Sequence, residues 1–155
     1  MIELVAARTA TDLACAAELF REYAASIGID LEYQGFSAEL AALPGQYSAP
    51  GGELWIARVN GEPAGCVAMR ALDDSSLEIK RLYVRPSARG LGLGKQLAEA
   101  AISAARDSGR AELRLDTLET MTAARALYAS LGFTEIPPYG KAYIPGTCFY
   151  GLPLR

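Results

Sequence analysis

Three alternating glycines occupy a loop that follows an apolar strand-like segment and precedes a helix-like one. The loop is Arg89–Gly94, Arg-Gly-Leu-Gly-Leu-Gly, and Lys95 comes directly after it. Glycine has no Cβ, so backbone N–H groups can approach a ligand closely. The first turn of a helix also presents unpaired N–H groups at the positive end of its dipole. The loop therefore predicts a phosphate or pyrophosphate site, with Arg89 and Lys95 adding positive charge at its rim.

The charge distribution points to a small anionic ligand. The chain has 155 residues and a net charge of -3, yet five basic side chains and one acid lie between Glu78 and Lys95. A nucleic-acid-binding protein is usually basic overall, so we expect no nucleic-acid partner. No apolar run reaches the ~18 residues of a membrane span, so we expect no membrane partner.

The residue types that are scarce restrict the chemistry further. There is no histidine, which excludes histidine-based triads and histidine metal sites, and we expect no metal. The three cysteines match no zinc pattern and are expected to be reduced. Together with an N-terminus that lacks a basic signal-peptide region, this predicts a cytoplasmic protein.

Two familiar nucleotide-binding loops do not fit the glycines. A Walker A loop needs glycine at position 89 and Ser or Thr at position 96, where the chain has Arg89 and Gln96. A Rossmann loop needs a third glycine where Lys95 stands. A glycine-rich helix entry that binds no ligand stays open as an alternative.

The elements that must position this loop alternate between strands and helices. Asn60-Gly61 predicts a hairpin, because both central positions of a type I′ turn need positive φ. The hydrophobic patterns predict a single α/β domain over residues 1–155, with a mixed sheet and helices on both faces. The predicted strands are 2–6, 54–59, 63–70, 77–84, 111–115, 133–136 and 147–152, and the predicted helices begin near Thr9, Phe36, Gly90 and Thr120 and end near Ile27, Leu43, Asp107 and Leu131.

Two motifs in this order resemble the GNAT superfamily of N-acetyltransferases. Arg89–Gly94 is similar to its cofactor motif (Q/R)-x-x-G-x-(G/A), and Ala124–Phe133 is similar to A-x-x-L-Y-x-x-x-G-F. The resemblance implies a splayed sheet of about seven strands flanked by about four helices. It also implies acetyl-CoA as co-substrate and transfer of an acetyl group to an amine.

The same resemblance implies which residues bind the cofactor. In the family the loop amides bind the pyrophosphate, and the preceding strand exposes backbone groups to the pantetheine. Met121 stands where the family often has an asparagine that contacts CoA, so Thr117 or Thr122 is considered as a substitute. The implied cofactor residues are Leu82, Tyr83, Val84, Arg89, Gly90, Leu91, Gly92, Leu93, Gly94, Lys95 and Thr117.

Glu78 and Tyr128 are the catalytic candidates that the resemblance implies. Strict alternation places Glu78, Lys80, Leu82 and Val84 on one face of their strand, and burial there would raise the pKa of a carboxyl group. We expect Glu78 to act as general base, with a structural ion pair as the alternative. Tyr128 is expected to protonate the departing thiolate, with a core tyrosine as the alternative.

The acceptor site is expected between the first helices and the C-terminal strand connection. Aromatic residues and a nearby arginine would suit a small amine, including one that bears a carboxylate. The candidate acceptor-binding residues are Tyr33, Phe36, Arg70, Arg81, Tyr139 and Tyr143. Acetylation of a protein N-terminus or lysine, and a non-catalytic acyl-CoA sensor, stay open as alternatives, and a homodimer is possible.

Overall fold

Strands and helices follow one another in the predicted order. The computed structural model describes residues 1–140 and 142–155. The strands are β1 (Ile2–Ala6), β2 (Glu53–Val59), β3 (Glu62–Ala71), β4 (Ser76–Val84), β5 (Glu112–Leu118), β6 (Thr134–Glu135) and β7 (Thr147–Pro153). The α-helices are α1 (Ala10–Ile27), α2 (Phe36–Ala41), α3 (Leu93–Asp107) and α4 (Thr122–Ser130). Short 3-10 turns occupy Leu31–Gln34, Gly45–Tyr47 and Pro86–Ala88.

The strands form one mixed sheet in the order β1-β2-β3-β4-β5-β7-β6. Every neighbouring pair is antiparallel except β4 and β5, which are parallel. These two pair only between Ser76–Glu78 and Glu112–Arg114. Beyond Glu78 the described pairs of β4 are with β3 alone, so a gap opens between β4 and β5. The predicted seven-stranded splayed sheet with four helices is confirmed.

Local sequence signals account for several element boundaries. Thr9 and Asp12 form a capping box at the start of α1, and Gly28 ends that helix in the left-handed conformation. Asn60 and Gly61 both have positive φ, as the predicted hairpin turn requires. The strand register shifts next to Pro63, which cannot donate a backbone hydrogen bond to the ladder.

Two apolar cores cover the two faces of the sheet. One core joins Leu77 and Ile79 of β4 to the apolar face of α3, and Leu82 and Val84 pack against it. The other core joins Tyr83 to Leu19 and Phe20 of α1. Strand β4 is therefore packed against α3 on one face and, at Tyr83, against α1 on the other.

A bulge in β4 overturns the predicted alternation of faces. Cys66 faces Tyr83 and Ala68 faces Lys80, so two residue steps in β3 oppose three in β4. Arg81 has a φ of 62° at this point. Glu78 and Lys80 therefore share the α1 face with Arg81 and Tyr83, whereas Leu82 and Val84 lie on the α3 face. The prediction that Glu78 and Lys80 share a face with Leu82 and Val84 was wrong.

Strand β5 is longer than predicted. It runs to Leu118, three residues past the predicted end, because Asp116, Thr117 and Leu118 pair with Phe149, Cys148 and Thr147 of β7. None of the helices in the described residues is long and apolar enough to cross a membrane. Within residues 1–140 and 142–155, no three His, Cys, Asp or Glu side chains cluster as a metal site would require.

Candidate active site

The larger of two cavities at the β4–β5 gap has a volume of about 520 Å³. The end of α1 supplies Tyr23 and Ile27 on one side, and β4 supplies Leu82–Val84. The start of α4, from Met121 to Leu127, forms the opposite wall. The cavity is therefore mostly apolar and open to the backbone of β4 where β5 has diverged.

The glycine loop enters this cavity at its polar end. Arg89 and Gly94 both line it. Gly90 and Gly92 have φ values of 86° and 77°, a conformation that residues with a Cβ rarely adopt. Gly92 caps α3, and no side chain among the described residues caps that helix. Its first-turn N–H groups are left for a ligand, as expected for an anion site.

A Cβ at position 94 would occupy part of this cradle. It would lie 3.6 Å from Leu127 Cδ2 and 3.9 Å from Val84 Cγ2, which belong to opposite walls of the cavity. The loop and the walls thus leave space beside the unpaired N–H groups at the start of α3, where an anion such as a phosphate could bind.

The other predicted cofactor residues differ in their surroundings. Tyr83 lines the cavity, and its hydroxyl donates to Glu22 at 3.3 Å. Leu93 is buried in the core, so only its backbone can reach a ligand. Leu91 and Lys95 are exposed beside the loop. Thr117 is buried outside the residues that line the cavity, and its hydroxyl donates to Met121 Sδ at 3.5 Å.

The second cavity, of about 240 Å³, lies on the α1 face of the sheet. Three of the predicted acceptor residues, Tyr33, Arg70 and Tyr139, line it together with Glu78. Sequence reasoning missed Gln34, Lys80 and Asp116, which also line it. The volume is below the ~300–1,000 Å³ of pockets for drug-sized ligands. This cavity therefore suits a small polar molecule.

Glu78 is held at the base of the small cavity by three neighbours. Its Oε1 accepts from Arg70 Nε at 2.8 Å and lies 4.0 Å from Lys80 Nζ. Its Oε2 accepts from the Tyr139 hydroxyl at 2.7 Å. Burial, together with the Glu78 carboxylate, raises the pKa of Tyr139, which keeps that hydroxyl protonated and donating. Both carboxylate oxygens of Glu78 are thus engaged.

Asp116 is the second acid of the gap, and its surroundings differ from those of Glu78. No hydrogen bond to its carboxylate is formed within the described residues. Burial raises the pKa of Asp116, while Lys80 opposes the change. The sequence signal was its place in the alternation after Leu113 and Leu115, but the predicted strand ended one residue too early to include it.

The Asp116 carboxylate influences tyrosines of both cavities. Burial raises the pKa of Tyr23, in the larger cavity, to about 12, and Asp116 adds to the increase. Burial and Asp116 also raise the pKa of Tyr33, in the small cavity. Asp116 itself lines the small cavity and not the larger one.

Tyr128, on α4, is buried in the core on the α3 face of the sheet and lines neither cavity. Its ring packs edge-on against Phe133, with a centroid distance of 5.7 Å. Burial raises its pKa, with further contributions from Tyr23 and Asp116, so the hydroxyl stays protonated at neutral pH. It has no hydrogen-bond partner within the described part of the chain. Tyr128 is therefore packed as a core tyrosine, and its hydroxyl still carries a proton that is not donated to another described residue.

Three predicted acceptor residues lie outside both cavities. Arg81 is buried in a two-point ion pair with Glu39 and lies 5.2 Å from the centroid of the Phe36 ring. The ring of Phe36 packs against the α1 core. Tyr143 is 49% exposed and packs edge-on against Phe149. The structure therefore brings Phe36, Arg81 and Tyr143 near the site without placing them in a cavity wall.

Comparisons with known proteins agree with this architecture. The model of the acetyltransferase (GNAT) family matches residues 16–133. An uncharacterized N-acetyltransferase of Schizosaccharomyces pombe is 37% identical over 153 residues, which cover 97% of this chain and 94% of that protein.

Two solved structures share the fold. An acetyltransferase of the GNAT family from Staphylococcus aureus Mu50 superposes with a TM-score of 0.82 at 20% identity, covering 100% of both chains. The yncA protein of Salmonella typhimurium, solved with its cofactor acetyl-CoA, has a TM-score of 0.74 at 20% identity and covers 100% of this chain and 95% of that one.

The fold and the two cavities thus define an acyl-transfer enzyme architecture. The chain belongs to the GNAT family of acetyltransferases and is an N-acetyltransferase.

Proposed function

We propose that the protein transfers the acetyl group of acetyl-CoA to the primary amine of a small-molecule or amino-acid-like acceptor, by direct attack of the amine on the thioester. The observation that carries this proposal is the pair of cavities at the β4–β5 gap, one beside the glycine loop and the other lined by Asp116 and Glu78. One cavity has the phosphate cradle and the other has the size and charges of a small acceptor site.

The larger cavity supports the choice of cofactor. Arg89 and the N–H groups of Gly92–Lys95 would hold the pyrophosphate at the start of α3. The divergence of β5 leaves the backbone of Leu82 and Val84 beside the cavity, where the pantetheine amides would pair with it. The acetyl thioester supplies the transferred group, whose carbon–sulfur bond is exchanged for a carbon–nitrogen bond.

The proton balance of the reaction calls for a general base and a general acid. An ammonium acceptor must lose one proton before it can attack, and it loses a second as the carbon–nitrogen bond forms. The departing sulfur takes one proton, so one proton is released to solvent. A base near the amine and an acid near the sulfur each lower the barrier.

Asp116 is a candidate base alongside Glu78. Both oxygens of Glu78 already accept hydrogen bonds from Arg70 and Tyr139, so an acceptor amine would have to compete with these two donors. Asp116 has no such partner among the described residues, and burial raises its pKa. The structure therefore favours Asp116 for proton transfer and Glu78 for holding Arg70 and Tyr139 in place. The role of Glu78 as base stays a prediction.

Tyr128 is the proposed general acid. Its hydroxyl is protonated at neutral pH, so it has a proton to donate to the sulfur as the thiolate departs. The place of Tyr128 on α4 supports this assignment, because the preceding residue, Leu127, lines the larger cavity.

A thiol-release assay tests the proposed function. The full-length protein is incubated with acetyl-CoA and a panel of small primary amines, and free CoA is measured together with the N-acetylated product. We expect CoA and N-acetyl amine in equal amounts for at least one acceptor. Absence of amine-dependent CoA release across the panel, with acetyl-CoA binding intact, would refute the proposal.

A further inference from the structure

The small cavity contains two cations and two carboxylates that are unequally engaged. The cations are Arg70 and Lys80, and the carboxylates are Glu78 and Asp116. Glu78 uses both oxygens on Arg70 Nε and the Tyr139 hydroxyl. Glu78 therefore has no free carboxylate oxygen, and among the described residues Arg70 has used only its Nε group.

The remaining hydrogen-bonding groups have opposite charges. Within the described residues Arg70 donates only through Nε, so its Nη1 and Nη2 groups stay available on a side chain that is 29% exposed. Lys80 Nζ donates to Gln34 Oε1 at 3.2 Å and has further donors left. Asp116 accepts no hydrogen bond there. The cavity therefore offers a cationic edge and a carboxylate to the same small ligand.

The strand register sets the orientation of these two ends. On β4, Glu78 faces Arg70 of β3 and Arg114 of β5, at the last level where β4 and β5 still pair. Asp116 lies two residues further along β5, on the diverging side. The larger cavity is lined by Leu82–Val84, at that same diverging end of β4. Along the strands, Asp116 is thus nearer than Arg70 to the level of the cofactor cavity.

We propose that the acceptor is a free amino acid, or an amino-carboxylate of similar size, bound in this orientation. Its carboxylate accepts from the Nη groups of Arg70 and from Lys80, and its ammonium group donates to Asp116, on the side of the acetyl group. This inference rests on the proposed function and adds the substrate class. The cavity volume of about 240 Å³ leaves space for a single amino acid.

Matched pairs of acceptors test the carboxylate directly on the unchanged protein. Each free amino acid is compared with its carboxamide, for example leucine with leucinamide and phenylalanine with phenylalaninamide. Both members carry the same amine and side chain and differ at the carboxylate. We expect kcat/KM for the best free amino acid to exceed that of its carboxamide by about 10- to 100-fold, the worth of a charge-assisted hydrogen bond that the amide lacks.

Substitution of Arg70 tests whether this residue binds the carboxylate of the acceptor. Arg70→Gln is expected to raise KM for the free amino acid at least ~10-fold and to change kcat/KM for the carboxamide less than ~3-fold, so the selectivity collapses. Arg58→Gln is the matched control, because Arg58 pairs with Asp12 outside both cavities. It should keep the selectivity of the unchanged protein. A thermal melt of each variant excludes loss of folding as the cause.

The outcomes separate this inference from the proposed function. Carboxamides that react as well as free amino acids would overturn the inference and leave the acetyltransfer proposal standing. Selectivity that persists in Arg70→Gln would also overturn it, because the carboxylate would then bind elsewhere. No CoA release with any amine would overturn the proposed function, and the inference with it.

Discussion

Arg81 and Glu39 form a buried two-point ion pair that joins the β4 bulge to helix α2. Arg81 Nε and Nη2 donate to the two carboxylate oxygens of Glu39 at 2.9 and 2.8 Å. The two side chains are only 3% and 4% exposed. Arg81 Nη1 also donates to Gln34 Oε1, which accepts from Lys80 as well. The pair and its contact with Gln34 therefore connect a wall of the small cavity to β4, the strand that also lines the cofactor cavity.

Removing the charge of Glu39 should destabilise the fold strongly. Glu39→Gln leaves the Arg81 guanidinium buried without a counter-charge, which typically costs about 3–5 kcal/mol of unfolding free energy. Urea denaturation followed by circular dichroism measures the difference. Glu53→Gln is the control, since Glu53 pairs with an Arg8 side chain that is 63% exposed, and exposed pairs contribute about 0–1 kcal/mol. Equal losses in the two variants would contradict the role given to the Arg81–Glu39 pair.

The sequence predicted those parts of the fold that depend on local signals. The start of α1 near Thr9, the Asn60-Gly61 turn and the glycine loop each depend on residues a few positions apart, and each was found where expected. The family resemblance then supplied the splayed sheet, which no local pattern specifies. Three of the six predicted acceptor residues line the small cavity for the same reason.

The bulge and the end of β5 could not be predicted from local patterns. A positive φ at an arginine has no local sequence signal, and here a side chain from α2 holds that arginine. The end of β5 depends on pairing with β7, about thirty residues later in the chain. Because of the bulge, Leu82 and Val84 lie on the face opposite to Glu78, contrary to the prediction. Because β5 is longer than predicted, Asp116 was not recognised as a strand residue at the site.

Gly94→Ala should separate cofactor binding from stability. The new Cβ would make ordinary contacts with Leu127 and Val84, so the fold is preserved. Replacing a helical glycine with alanine adds about 0.5–1 kcal/mol of stability. The same methyl group narrows the cofactor cavity, and we expect the Kd for acetyl-CoA to rise about 10-fold or more. Calorimetric titration gives the Kd, and Gln96→Ala, at an exposed position of the same helix, should leave it unchanged.

Tyr128→Phe should lower turnover while cofactor binding persists. Loss of a general acid typically reduces the rate by about 10²–10⁴-fold, and the ring packing against Phe133 is kept. The measured quantities are kcat from CoA release and the Kd for acetyl-CoA. Tyr150→Phe is the matched control, because Tyr150 lies in the same core and its hydroxyl accepts from Arg125. A kcat for Tyr128→Phe equal to that of Tyr150→Phe would show that Tyr128 is a packing residue only.

The pH dependence of kcat/KM distinguishes the two candidate bases. A base must be deprotonated to accept the proton of the amine, so activity falls as pH decreases through its pKa in the free enzyme. Burial raises the pKa of Asp116 above the usual 3.8, and therefore the acid limb of the profile should lie above that value. Asp116→Asn should remove this limb and lower kcat about 10²–10⁴-fold.

Glu78→Gln gives the contrasting result if Asp116 is the base. Glutamine retains an acceptor oxygen for Arg70 or Tyr139 but loses the charge that pairs with Arg70. The acid limb should then persist with its midpoint shifted downwards, because the negative charge of Glu78 raises the pKa of Asp116 and this variant removes that charge. The two candidate bases are distinguished by whether the acid limb of the kcat/KM profile is present, and its midpoint does not decide between them. Loss of the limb in Glu78→Gln, with its retention in Asp116→Asn, would identify Glu78 as the base.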